Sequence, residues 1–374
     1  MPSVILKNLF KKYGNTVLAV ESLNLVINDK EFFAILGPSG CGKSSTLRMI
    51  AGLEEITSGD IYFDETRVTD LSPAERDIAL AFENYALYTH LNVYQNIAFP
   101  LKIRKIPSKE IDRQVRETAK FMKLTDILET NVKFLSGGQQ QRVGVARALV
   151  RNPAVFLLDE PISHLEAKLK ESMRAELRRI HNDLKVTTIY VTHDQAEAMS
   201  MADRICIMNL GKKQQVGTPK EVYADPVNEF VAGFVGEPPM NILNASILSE
   251  NGCLKLEIFG EKVNFPDQYM PVLKEVKGWL KGRKVRLGIR PTDIKCFKTK
   301  KEDNLIEGEV YFIELRNEGK FVLNVKIGDF YILVKTDGIF EPELNAKIYL
   351  KFIEDCIHLF DQDIGINLNR TVRA

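Results

Sequence analysis

Gly37-Pro38-Ser39-Gly40-Cys41-Gly42-Lys43-Ser44 carries the spacing G-x-x-x-x-G-K-S. Glycines so placed let consecutive backbone N–H groups turn inward around phosphates, and a helix that follows adds the positive end of its dipole. The lysine reaches the terminal phosphates and the serine hydroxyl can ligate Mg²⁺. The apolar run Phe32–Leu36 and the helical run Thr46–Ile50 supply the strand and helix that this chemistry requires. A second apolar run, Val155-Phe156-Leu157-Leu158, ends in two carboxylates, Asp159 and Glu160. At a strand end the first can hold Mg²⁺, directly or through water, and the second reaches far enough to polarise an attacking water. Leu135-Ser136-Gly137-Gly138-Gln139 opens a further helix and offers its N-terminus to an anion. His193, in Val191-Thr192-His193-Asp194, follows another strand at a point where a side chain can touch a phosphate. One polypeptide closes on a nucleotide with only one of these two glycine turns, so the other is expected to face a second copy or a partner.

The elements that must position these groups follow from periodicity. Phe32–Leu36, Val155–Leu158 and Thr188–Val191 have the apolar, β-branched character of buried parallel strands, each followed by turn residues and a helical pattern. Between about residues 83 and 150 the texture is helical, with Lys109–Met122 and Gln139–Val150 amphipathic and no strand between them. The Gly/Pro cluster Gly233–Pro239 marks a boundary. Beyond it Lys284–Ile289, Glu309–Leu315, Lys320–Val325, Phe330–Val334, Ile348–Phe352 and Ile357–Phe360 alternate with period two, as in a small antiparallel barrel or sandwich.

At 374 residues the chain is long enough for two or three domains with their own cores. A net charge of +1 leaves no basic excess to suggest nucleic acid. The first residues lack the basic and apolar regions of a signal peptide. No apolar run approaches the roughly 18 residues of a membrane helix. Five cysteines, odd in number and without CxxC spacing, favour reduced thiols in a cytoplasmic protein. Cys41 reads as a small side chain tolerated by a tight turn in preference to a redox switch.

Tyr13, the phosphate loop, the Leu135–Gln139 turn, Leu157-Leu158-Asp159-Glu160 and His193, in that order, resemble the nucleotide-binding subunit of an ABC transporter over nearly the whole chain. The resemblance implies an α/β P-loop NTPase domain of ABC type at 1–235, with a helical subdomain at about 84–150. It implies a C-terminal all-β, OB-like barrel at 236–374 with a regulatory role. There, Gly236-Glu237-Pro238-Pro239-Met240-Asn241 and Gly288-Ile289-Arg290-Pro291 resemble importer ATPases for sugars, maltodextrins and glycerol phosphate. By the same resemblance Tyr13 stacks on the adenine of ATP, and Gly37 to Ser44 with Ser45 bind its phosphates. Ser44, Asp159 and Glu83 hold Mg²⁺, while Lys43, Glu160 and His193 carry catalysis. Ser136, Gly137, Gly138 and Gln139 of one subunit close over the ATP of a second, in a dimer expected to be a homodimer. Two integral membrane permease subunits and an extracytoplasmic binding protein complete such a system, with the ATPase cytoplasmic and peripheral on the inner face of the membrane.

Two residues depart from the family pattern. Glu83 stands where the family has Gln, adding a charge near the γ-phosphate. Two like charges about 5 Å apart at an effective dielectric of about 20 repel by roughly 3 kcal/mol, so a slower or differently coupled site is expected. Glu166 stands where the family has Asp, and either fixes geometry across the dimer or caps the helix beginning at Ala167. Tyr85–Gln95 (YALYTHLNVYQ) is either internal packing or, by family analogy, part of the cleft for a membrane subunit. Importers of polyamine, iron or sulfate and a weakly hydrolysing regulatory subunit remain as alternatives. A soluble ABC factor of translation or DNA repair is a further class, though such chains usually carry two sets of motifs or a long coiled coil.

Overall fold

The structure, a computed structural model, describes residues 2–371 except 15, 82–85, 164, 251–252, 271–282, 301, 303–304, 316–319, 337–339 and 342. It divides into two compact units, Met1–Glu221 and Val222–Ala374. In the first, strands β1 (Val4–Tyr13), β2 (Val17–Ile27) and β3 (Phe32–Leu36) lead into helix α1 (Lys43–Ala51) and strands β4 (Ser58–Phe63), β5 (Thr66–Arg67) and β6 (Ile78–Ala81). Three helices follow, α2 (Val93–Ile103), α3 (Ser108–Phe121) and α4 (Gly137–Leu149). Then come β7 (Val155–Asp159), α5 (Ala167–Leu184), β8 (Thr187–Thr192), α6 (Gln195–Met201), β9 (Arg204–Asn209) and β10 (Lys212–Gly217).

The main sheet runs β10-β9-β3-β8-β7-β6, parallel throughout except for β10. Both faces are covered, which is why its strands read as unbroken apolar runs. Successive side chains nevertheless serve different cores. Phe33, Ile35, Val155, Leu157, Ile189 and Val191 pack with α1 and the antiparallel sheet β2-β1-β4-β5. Phe32, Phe156, Leu158 and Tyr190 face α2, α4 and α5 instead. The helical texture expected near 84–150 is present in α2, α3 and α4. α3 buries Ile111, Val115 and Ala119 on one face. Tyr88 packs on Phe99 at 4.4 Å between ring centroids, and the Arg147 guanidinium lies 5.1 Å over its ring, so this aromatic takes part in internal packing.

Among its described residues the second unit is all-β apart from short helices such as Glu229–Phe234. Its strands are β11 (Asn241–Glu250), β12 (Cys253–Ile258), β13 (Glu261–Asn264), β14 (Lys284–Ile289), β15 (Ile294–Phe297), β16 (Ile306–Leu315), β17 (Phe321–Ile327), β18 (Phe330–Lys335), β19 (Lys347–Phe352) and β20 (His358–Asp361). They form two antiparallel sheets, β13-β12-β11-β14-β20 and β15-β19-β16-β17-β18, around one apolar core, in keeping with the OB-like character expected. Asn241 stitches the sheets together: its Nδ2 donates to Leu333 O and its Oδ1 accepts from Leu333 N–H, each at 2.8 Å. The division between the units falls before the Gly233–Pro239 cluster, and a buried guanidinium explains where residues 222–235 belong. Arg290 donates to Val235 O at 2.8 Å and lies 3.6 Å from the Tyr223 ring centre.

Burial, and after it the charge of Arg290, push the His358 imidazole down to about 4. An unfolded histidine titrates near 6.5, so below that pH the unfolded chain takes up a proton that the native state resists. This contribution to stability is complete above pH ~6.5 and is lost as pH falls toward 4. Urea midpoints at pH 7 and pH 5 are expected to fall in the parent and to fall less in His358→Gln.

Candidate functional site

The phosphate loop leaves β3 and enters α1 through two positions where a side chain does not fit. An ideal Cβ on Gly42, whose φ is +99°, meets Ala19 O at 2.2 Å, and one on Gly37 meets Met208 O at 2.3 Å. Lys43 is 5 % exposed. Its ammonium donates to Gly37 O at 2.8 Å and Pro38 O at 3.0 Å, curling the side chain under its own loop. Ser44 Oγ donates to Asp159 Oδ1 at 3.0 Å, joining the loop to the end of β7. Cys41, within the loop, is buried, and burial pushes its thiol up. The Tyr13 ring is partly exposed, with the Lys11 ammonium 4.7 Å over it and its hydroxyl 3.2 Å from Ser45 Oγ.

Glu160 follows Asp159 with a φ of +47°, a conformation uncommon outside glycine. Its N–H donates to Val191 O at 3.0 Å, which pins the turn to β8. From there Glu160 Oε2 lies 2.8 Å from His193 Nδ1. Ser44 and Asp159 thus form one hydrogen-bonded pair, with Lys43 beside Ser44 in the chain, and Glu160 and His193 form another. A further carboxylate that sequence reasoning missed, Glu197, is buried behind the His193 turn.

Ser136 is the N-cap of α4, and with Gln139 it closes a reciprocal capping box. Gln139 N–H donates to Ser136 Oγ at 3.4 Å, and Ser136 N–H to Gln139 Oε1 at 3.0 Å. The S-x-x-Q spacing carried that signal. Gly138 leaves room for Leu169, which an added Cβ would approach to 3.2 Å, while Gly137 faces Leu165 at ordinary contact distance. No hydrogen bond among the described residues joins this turn to the phosphate loop. Glu166 is the N-cap of α5 yet makes no side-chain cap hydrogen bond, so the capping reading finds no contact. Glu83, expected near Mg²⁺, and Tyr85, at the start of the aromatic run, lie outside the described residues.

Gly37→Ala tests the loop. Overpacking of about 1–3 kcal/mol corresponds to roughly 5- to 150-fold, and nucleotide binding measured by fluorescence titration is expected to weaken accordingly.

Residues 20–163 match the family model described as ABC transporter. The chain is 46% identical to the trehalose/maltose import ATP-binding protein MalK of Thermococcus litoralis, over 98% of this chain and 99% of that protein. It is 50% identical to the oligosaccharides import ATP-binding protein MsmX of Bacillus subtilis, over 98% and 100%. With the sn-glycerol-3-phosphate import ATP-binding protein UgpC of Cupriavidus pinatubonensis it shares 41% over 98% and 99%. Among solved structures it is similar to a dimeric, post-hydrolysis ATP-binding cassette bound to ADP and Pi, with TM-score 0.52 and 33% identity over 58% of this chain and 98% of that one. It is similar also to cbiO1 of Clostridium perfringens, part of the cbiONQ ABC transporter complex, with TM-score 0.56 and 28% identity over 59% and 90%. The chain belongs to the ABC transporter family of ATP-binding subunits, and it is an ATPase.

Proposed function

We propose that this ATPase powers import of a carbohydrate, or of a related polyol or glycerol phosphate, through membrane partners. The transported class is supported by the names of relatives that match nearly end to end, β unit included. Hydrolysis is supported above all by one observation, the 2.8 Å contact between Glu160 and His193 beside the Ser44–Asp159 pair.

In this reading Glu160 takes the proton of the attacking water, and His193 holds that carboxylate in place while facing the γ-phosphate. Lys43 exchanges its loop carbonyls for phosphate oxygens, and the loop from Gly37 to Ser45 wraps the rest of the triphosphate. Tyr13 stacks on the adenine. A hydroxyl and a carboxylate 3.0 Å apart are hard oxygen donors suited to Mg²⁺. Ser44 and Asp159 would hold that ion, which neutralises phosphate charge when bound. The remaining ligands of such an ion would be phosphate oxygens and water.

Ser136 and the Gly137 and Gly138 amides cover the nucleotide of a second copy, and Gln139 keeps that turn capped. ATP-driven closure of the homodimer then moves two permease subunits, fed by an extracytoplasmic binding protein. Among the described residues no helix is long and apolar enough to cross a membrane. In this reading the ATPase is peripheral on the cytoplasmic face, held there by the permeases. The all-β unit serves as a regulatory domain.

The chain purified with its membrane partners provides the test. ATPase stimulated by a carbohydrate- or glycerol-phosphate-loaded binding protein is expected. Stimulation by a polyamine, iron or sulfate receptor instead contradicts the substrate class.

A further inference from the structure

His193 occupies a short turn, with β8 ending at Thr192 and α6 beginning at Gln195. Its side chain is 49 % exposed, so neighbouring packing does not hold the ring by itself. The frame lies behind it. Glu197, in the first turn of α6, is 1 % exposed. Its Oε2 accepts from the Thr192 hydroxyl at 2.6 Å and from the Tyr190 hydroxyl at 2.8 Å. Thr192 Oγ1 in turn accepts the Asp194 N–H at 2.9 Å. The residues on either side of His193 are therefore tied to one carboxyl through one hydroxyl. Asp194 Oδ1 accepts from Ala196 N–H at 2.8 Å and Glu197 N–H at 3.2 Å, locking α6 to the same turn.

The other carboxyl oxygen, Oε1, is buried without a hydrogen bond. Lys170 Nζ lies 4.0 Å from it and 3.9 Å from Asp194 Oδ2. A carboxyl buried this deeply is costly unless its surroundings are organised around it. Among the described residues, both hydrogen bonds that Glu197 Oε2 accepts come from β8, the strand that delivers His193.

Resting on the role of His193 proposed above, we infer that Glu197, acting through the Thr192 hydroxyl, is a positioning residue that aims the His193 imidazole at Glu160. Neither Thr192 nor Glu197 touches substrate in this assignment. Lys170 extends the frame to α5, so the His193 turn and the helix that begins after Glu166 are held as one piece. Misplacing a reacting group by about 1 Å costs on the order of 100-fold in rate, so loss of the Thr192 hydroxyl acts on kcat while the phosphate loop keeps KM.

The test is a cycle in the full-length protein, with MgATP hydrolysis followed at single turnover so that slow variants are measurable. Thr192→Val keeps the β-branched shape and removes the hydroxyl. It is expected to lower kcat about 10-fold or more with KM for ATP changed less than about 2-fold. Thr192→Ser is expected to restore the rate. In a His193→Ala background, Thr192→Val is expected to change kcat by less than about 2-fold, because the group it positions is gone. If Thr192→Val does not fold, Thr192→Ala takes its place in the same cycle. An equal loss in both backgrounds, or no rescue by serine, overturns the inference while leaving the role of His193 intact. His193→Ala at the parental rate overturns that role, and the inference with it.

Discussion

Leu36 lies opposite Thr192, and Asp159 opposite Val191, across the parallel ladders that flank β8. Because β3, β7 and β8 end at this common level, the phosphate loop, Glu160 and His193 leave the sheet side by side. A parallel sheet collects whatever follows its strands along one edge, and here that edge gathers an ammonium, a hydroxyl, two carboxylates and an imidazole. A one-residue slip of β8 would exchange Ile189 and Val191 with Tyr190 between the two cores as well as displace His193. The register is thus enforced by packing on both faces of the sheet, and the site inherits its precision from those cores.

Local strain is placed where that register ends. Glu160 adopts a positive φ and is held by its N–H to Val191 O, which turns its side chain toward His193. Lys43 and Ser44 are satisfied by Gly37 O, Pro38 O and Asp159, so the loop holds its shape through its own hydrogen bonds. Lys43 gives up those carbonyls when phosphate binds in the reading above, whereas the Glu160–His193 contact is already formed, and a group held in place beforehand avoids reorganisation at the moment of reaction. The Ser136–Gln139 turn is also internally satisfied, through its capping box, and it belongs to the helical region.

The site was legible in the chain to the extent that its chemistry follows strand ends. Asp159, Glu160 and His193 come at or just after the ends of apolar runs, Lys43 closes the glycine loop that follows another, and order along the chain was enough to group them as candidates. Glu197 was not legible, because a glutamate in DQAEAM reads as the solvated face of a helix and its burial is decided by Tyr190 and Thr192 from another element. β1 and β2 went unread because their pairing shifts register between Leu6 and Leu9 and again between Leu9 and Lys11, breaking the period of two. β11 was missed for a related reason: Asn241, Asn244 and Ser246 interrupt its apolar pattern, and the Asn241 amide is satisfied by Leu333 of β18 and Ile289 of β14, which are distant in sequence.

In the proposed mechanism Glu160 is the group that activates water. Single-turnover hydrolysis by Glu160→Gln, at ATP concentrations where binding is shown to be intact, measures this directly. Loss of a general base removes on the order of 100-fold or more in rate, and a fall of that size with ATP still bound is the predicted result. Hydrolysis at the parental rate would contradict the assignment.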